Sequence, residues 1–147
     1  MRTVTLSYGQ DCFRFSVPHA TAWKDVADYL VERLNPGDIV TLSGPLGAGK
    51  TTFVQALAKE FHATREPQSP TFALMRSYPL AKKGKVKRMV HVDAYRVEHE
   101  RELLALDLDE ELADGKSILV LEWPEKIAMW VEARAKRVYS LQIDVKK

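Results

Sequence analysis

An α/β fold, with a mixed, mainly parallel central sheet flanked by helices, is predicted by three observations in this sequence. Two apolar runs of strand length, Met89-Val90-His91-Val92-Asp93 and Ile118-Leu119-Val120-Leu121-Glu122, each end on a carboxylate. Short continuous apolar runs suit strands buried on both faces. Apolar stripes at helical spacing, Trp23, Val26, Ala27, Leu30, Leu34 and then Phe53, Val54, Leu57, Ala58, Phe61, predict two helices. Between those helices lies Gly44-Pro45-Leu46-Gly47-Ala48-Gly49-Lys50-Thr51, which satisfies the pattern G-x-x-x-x-G-K-[ST] at every fixed position. It follows a strand-like run, Asp38 to Ser43, and opens the helix from Lys50 to Phe61. Strand, glycine loop and helix in that order predict a single-domain P-loop NTPase fold over residues 1–147.

The remaining elements follow in chain order. Val4-Thr5-Leu6 and Phe13-Arg14-Phe15 alternate about a turn at Gly9-Gln10-Asp11, which predicts a short opening hairpin. Asn35-Pro36-Gly37 stops the first helix, where Trp23 is read as core. Phe72 to Leu80 and Val86 to Asp93 read as a second hairpin with Gly84 in its loop, which makes the sheet mixed. Val97 to Leu106 has helical composition, and the acidic run Asp107 to Glu111 follows it. Pro124 suits the first turn of a helix burying Ile127, Trp130 and Val131. The alternation from Val138 to Val145 closes the chain with a half-buried strand.

With 147 residues, 46% hydrophobic and 29% charged, the chain has the length and composition of one globular domain. The single cysteine, Cys12, excludes an internal disulfide. No apolar run reaches transmembrane length and no signal-peptide pattern opens the chain, so the expectation is a cytoplasmic protein without a membrane partner. A net charge of +2 does not itself argue for nucleic acid. Five of the seven residues from 82 to 88, Lys82, Lys83, Lys85, Lys87 and Arg88, are basic. They form either a contact for RNA phosphate or a solvated hairpin tip.

The loop dictates the chemistry. Glycines at 44, 47 and 49 let backbone N–H groups converge on phosphate oxygens where a Cβ would intrude. The binding set runs through Gly44, Leu46, Gly47, Ala48, Gly49, Lys50, Thr51 and Thr52, with the helix N-terminus adding its positive end. Lys50 places an ammonium against the phosphates, and the Thr51 hydroxyl suits Mg²⁺. Asp93 and Glu122, at strand ends, are the acids expected at the ligand-binding edge of an α/β sheet, competing for Mg²⁺ or its water shell. Ser69-Pro70-Thr71-Phe72 offers either a switch hydroxyl at Thr71 or an ordinary turn entering a strand. Guanine recognition requires an Asn-Lys-x-Asp arrangement, but the only asparagine is Asn35, so ATP is expected rather than GTP.

Taken together, Gly44 to Thr52, Ser69-Pro70-Thr71-Phe72, His91-Val92-Asp93-Ala94-Tyr95-Arg96 and Glu122-Trp123-Pro124-Glu125 resemble the TsaE (YjeE) family, over nearly the whole chain. The resemblance implies a slow ATPase, with ATP and Mg²⁺ as ligands. It implies work with the TsaB and TsaD proteins in forming threonylcarbamoyladenosine next to the anticodon of tRNA. Carried over position by position, Lys50 and Thr51 match phosphate and Mg²⁺ binding, and Thr71 matches the switch-like position. Asp93 and Glu122 match the acids of metal binding and hydrolysis, with Trp123 beside them. Pro45 departs from the acidic residue frequent there. The competing reading is a small-molecule P-loop kinase, for which no clear arginine-rich lid is visible. A pure RNA-binding module would leave the glycine loop and both strand-end acids idle.

Overall fold

The computed structural model describes residues 2–65, 75–99, 101–102 and 107–146. It contains one seven-stranded sheet in the order β2-β1-β7-β3-β6-β5-β4. In chain order the strands are β1 (Arg2–Tyr8), β2 (Asp11–Val17), β3 (Ile39–Ser43), β4 (Met75–Pro79), β5 (Arg88–Asp93), β6 (Ser117–Glu122) and β7 (Val138–Val145). The helices are α1 (Trp23–Val31), α2 (Lys50–Glu60), α3 (Leu108–Leu112) and α4 (Ala128–Glu132), the last preceded by a 3-10 turn over Pro124–Ile127.

The central strands β7, β3, β6 and β5 pair in parallel, whereas β1 with β2, β1 with β7 and β4 with β5 are antiparallel. The expectation of a mainly parallel sheet therefore holds for its centre and is corrected for the whole. A hairpin at each edge, where a short turn reverses the chain, and the docking of β1 on β7 bring as many antiparallel pairings as parallel ones.

Strand alternation sorts the core into two layers. Val40 and Leu42 of β3, Ile118 and Val120 of β6, and Leu141 and Ile143 of β7 pack with Trp23, Leu30, Phe53 and Leu57 of α1 and α2. On the other face, Ile39, Val90, Leu119 and Leu121 pack with Leu108, Ile127 and Trp130. Every residue of β6 is buried, which is why that strand reads as an unbroken apolar run. All five residues of the predicted α2 stripe are buried.

Two polar clamps fix the sheet's margins. Asp38, only 4% exposed, accepts from Arg137 Nε at 3.1 Å and from the Asn35 N–H at 2.8 Å, tying the turn before β3 to the turn before β7. Arg88 donates to Ser117 Oγ, Ser77 Oγ and the Glu111 carbonyl, each at 2.8 Å, and pairs with Glu111 at 2.7 Å and Asp114 at 3.3 Å. This corrects the grouping of Arg88 with the basic hairpin tip: its guanidinium is committed to β4, β6 and α3, and only the lysines remain on the tip.

Candidate functional site

Parallel pairing brings the chemistry to one edge. Leu42 of β3 stands opposite Glu122 of β6, and Glu122 opposite Asp93 of β5, so three strand ends lie side by side where the glycine loop leaves β3. A cleft of ≈ 380 Å³ opens there, and Leu46, Gly47, Gly49, Lys50, Thr51 and Thr52 line it together with Asp93 and Glu122. A larger hollow of ≈ 580 Å³ runs beside α2 past Gln55, Lys59 and Arg65. Its described lining holds no carboxylate, and the chemistry gathers in the smaller cleft.

The loop conformation depends on its glycines for two different reasons. Gly49 has φ +103°, and a Cβ there would come within 3.1 Å of the Trp23 ring, so α2 enters directly above a buried tryptophan. Gly47 has φ +76°, and nothing lies within 4 Å of where its Cβ would stand. Bare backbone at that point faces open space in the cleft, which fits a cradle for an anion. The helical ladder of α2 begins with the Phe53 N–H to Gly49 at 2.9 Å, and N–H groups of a first helical turn point out of the helix end.

Lys50 is 6% exposed. Its Nζ donates to the Gly44 carbonyl at 2.5 Å and stands 3.6 Å from the centroid of the Trp123 ring. Burial pulls its pKa below the usual lysine value, and the charges of Glu122, Asp93 and Glu125 act against that pull. Trp123 reaches this position through a left-handed backbone, φ +61°, a conformation costing about 1 kcal/mol for a non-glycine residue. Its N–H bonds to Leu42 at 3.1 Å, which turns the chain back at the end of β6 and lays the ring over the lysine. Tyr95 extends the aromatic wall, its ring 5.0 Å from that of Trp123.

The two acids occupy different environments. Glu122 is 4% exposed, and its Oε2 shares a 2.6 Å hydrogen bond with His91 Nε2, itself fully buried. Asp93 is half-buried, and its Oδ1 accepts the Tyr95 N–H at 3.0 Å. Burial raises the Asp93 pKa, with the Glu122 charge adding to the effect, against the Tyr95 N–H, His91 and Lys50.

No cluster of three or more His, Cys, Asp or Glu arranged to hold a metal occurs among the described residues. The donor set nonetheless fits Mg²⁺. This ion favours hard oxygens, keeps several waters and binds through one or two carboxylates plus phosphates, and Thr51, Asp93 and Glu122 line one cleft.

Lys50, Thr51, Asp93 and Glu122 thus line one cleft. Gly44 and Ala48 shape the loop from behind, Ala48 being fully buried in the core, while Leu46 and Thr52 reach the cleft. Thr71 lies outside the described residues, as do Ser69, Pro70 and Phe72. Sequence reasoning missed the task of His91 and the presence of Arg2 in the lining. The signal for His91 was available: it lies two residues before Asp93 in a strand, hence on the same face, and is the polar interruption of an apolar run.

Fold and cleft define an α/β protein whose glycine loop faces two strand-end acids across a sheet edge. The family model for threonylcarbamoyl adenosine biosynthesis protein TsaE matches residues 17–147. The chain belongs to the TsaE family. It is similar to the tRNA threonylcarbamoyladenosine biosynthesis protein TsaE of Bacillus subtilis, 38% identical over 104 residues, covering 71% of this chain and 61% of that protein. The protein of the same name from Mycobacterium tuberculosis H37Rv is 43% identical over 105 residues, covering 67% and 61%. The chain thus spans about 61% of the length of these curated relatives. The crystal structure of YdiB from Bacillus subtilis superposes with a TM-score of 0.56 at 26% identity, covering 88% of this chain and 69% of that one. No described helix is long and apolar enough to cross a membrane.

Proposed function

We propose that this chain is a P-loop ATPase that binds Mg²⁺-ATP in the cleft between α2 and the ends of β5 and β6. In this reading it hydrolyses ATP slowly and supports the turnover of a TsaB–TsaD complex that forms threonylcarbamoyladenosine in tRNA. The observation that carries the reading is the juxtaposition of the glycine loop with Asp93 and Glu122 at one sheet edge. The names of the curated relatives support the pathway, and the cytoplasm is the compartment this reading implies.

In this mechanism the loop N–H groups and Lys50 hold the phosphate oxygens, and catalysis is mainly positioning and charge neutralisation. Bound Mg²⁺ would supply neutralisation of charge developing on the phosphate oxygens, held by Thr51 and Asp93. Asp93 is the more accessible acid and suits the ion or its water shell. Glu122, braced by His91, is aimed to orient the attacking water, with Thr71 as the second water-positioning group. Lys50 exchanges its bond to Gly44 for phosphate, while Trp123 keeps the ammonium facing the cleft.

Assaying ATP hydrolysis and tRNA modification together, with and without TsaB and TsaD, tests the proposal. The expected result is weak turnover alone, stimulation by the partners and loss of both activities in Lys50→Ala, by at least about a hundredfold. Partner-dependent turnover that survives Lys50→Ala or Glu122→Ala would refute it. Stoichiometric phosphorylation of a metabolite would favour a kinase instead.

A further inference from the structure

The cleft has a second cation that the mechanism above does not use. Arg2 opens β1, whose inward face continues through Val4 and Leu6, both fully buried. At the end of that face Arg2 lines the cleft beside Leu46, Gly47 and Lys50. The placement follows from register. Val4 pairs with Ile143 of β7 and Arg2 with Val145, and Ile143 is the residue packed against Gly44, where an added Cβ would meet its carbonyl at 2.9 Å. The β1–β7 ladder therefore carries Arg2 one inward-facing position beyond the base of the glycine loop.

Among the described residues nothing gives the guanidinium a structural task there. Its Nε is buried without a hydrogen-bond partner, and Arg2 forms no ion pair among the described residues. The two carboxylates of the same cleft take their hydrogen bonds elsewhere, Asp93 from the Tyr95 N–H and Glu122 from His91. A buried donor left unpaired is costly, and an arginine serving only as surface charge would extend its head into water. Residue 2 also lies outside the 17–147 segment matched by the family model, so the Arg2 position falls outside the shared motifs.

We infer that Arg2 is a phosphate-contacting residue, which binds the polyphosphate of the nucleotide from the β1 side of the loop while Lys50 binds it from α2. A planar guanidinium pairs two N–H groups with phosphate oxygens, a geometry that the point charge of Lys50 does not supply. The inference rests on the ATP reading of the cleft.

Titrating ATP, and separately inorganic tripolyphosphate, into the full chain with Mg²⁺ tests it, using Arg2→Met, Arg2→Lys and Lys50→Ala. Arg2→Met is expected to weaken both ligands about tenfold, with Arg2→Lys recovering roughly half of that loss in log units. The slope of log affinity against log salt should become shallower in Arg2→Met, a change that a packing role would not produce. Wild-type protein that binds ATP, loses it in Lys50→Ala and keeps it within about twofold in Arg2→Met would overturn the Arg2 assignment alone. Wild-type protein that binds neither ligand would overturn the ATP reading as well. If Arg2→Met does not fold, Arg2→Gln gives the same comparison with a polar stem, and an unchanged salt slope there would overturn the assignment.

Discussion

Asp93 and Lys50 stand in surroundings that disfavour their charged forms. Burial is the largest influence on each, raising the pKa of the carboxyl and lowering that of the ammonium. The consequences for stability have opposite pH signs. A carboxyl raised above its unfolded value of 3.8 stabilises the fold below that pH, and the contribution is lost as pH rises through the folded value. An ammonium lowered below 10.5 stabilises above that pH, and the contribution is lost as pH falls through the folded value. At neutral pH both groups therefore carry a cost, which the ligand reading explains: the site is charged for a partner rather than for the fold. Asp93→Asn should accordingly stabilise the nucleotide-free protein at pH 7, by an amount that solvent screening keeps small. The same change should cut partner-stimulated ATP turnover by about a hundredfold or more. Thermal unfolding and phosphate release measured on one preparation check both halves, and a variant that is less stable yet equally active would contradict both.

At the scale of elements, the glycine loop separates two demands that its sequence pattern merges. Gly49 is required by the Trp23 ring beneath it, whereas Gly47 is required only by its backbone angle. Gly49→Ala should destabilise by about 2–3 kcal/mol, combining left-handed strain with overpacking, while Gly47→Ala should cost only about 1 kcal/mol. Urea unfolding ranks them, and the reverse order would show that the Trp23 contact does not set the loop. The second hairpin gives a parallel contrast. Arg88→Ala removes bonds to β4, β6 and α3 and should cost about 2–3 kcal/mol, whereas Lys83→Ala on the exposed tip should stay within about 0.5 kcal/mol. Equal denaturation midpoints for the two would refute that division. These elements also mark what the sequence made legible. The α2 stripe, the two strand-end acids and the glycine loop are local patterns whose period or spacing states their structure. The clasp of Arg88, the bond from His91 to Glu122 and the ring of Trp123 over Lys50 join residues 11–73 positions apart or depend on one left-handed residue, and no local pattern names the partner in such contacts. The full share of antiparallel pairing is illegible for the same reason: a hairpin is a local pattern, but the docking of β1 against β7 pairs the two ends of the chain.

That docking closes the molecule as a whole, because β1 and β2 reach the parallel centre only through β7. The β1–β7 junction is sealed on the α1 side by Tyr8 and Tyr139, whose rings stack with centroids 4.0 Å apart. The Tyr8 hydroxyl donates to the Lys136 carbonyl at 3.1 Å, which ties the hairpin to the turn before β7. Tyr139 is 6% exposed, and burial first, then the neighbouring Tyr8 and Asp38, push its pKa from 10.0 up to about 12. The folded state therefore holds this proton more tightly than the unfolded chain does. Its contribution is complete below pH 10 and is lost as pH rises toward the folded value of about 12. Over that window the unfolding free energy should fall by on the order of 1–2 kcal/mol from this residue alone. Tyr139→Phe removes the titration but keeps the stacked ring, so its stability should decline less steeply across the same range, with little change at neutral pH. Chemical denaturation at a series of alkaline pH values, with tyrosinate absorbance recorded in parallel, measures both. Identical alkaline profiles for the two proteins would mean that this junction does not control the coupling of the hairpin to the sheet.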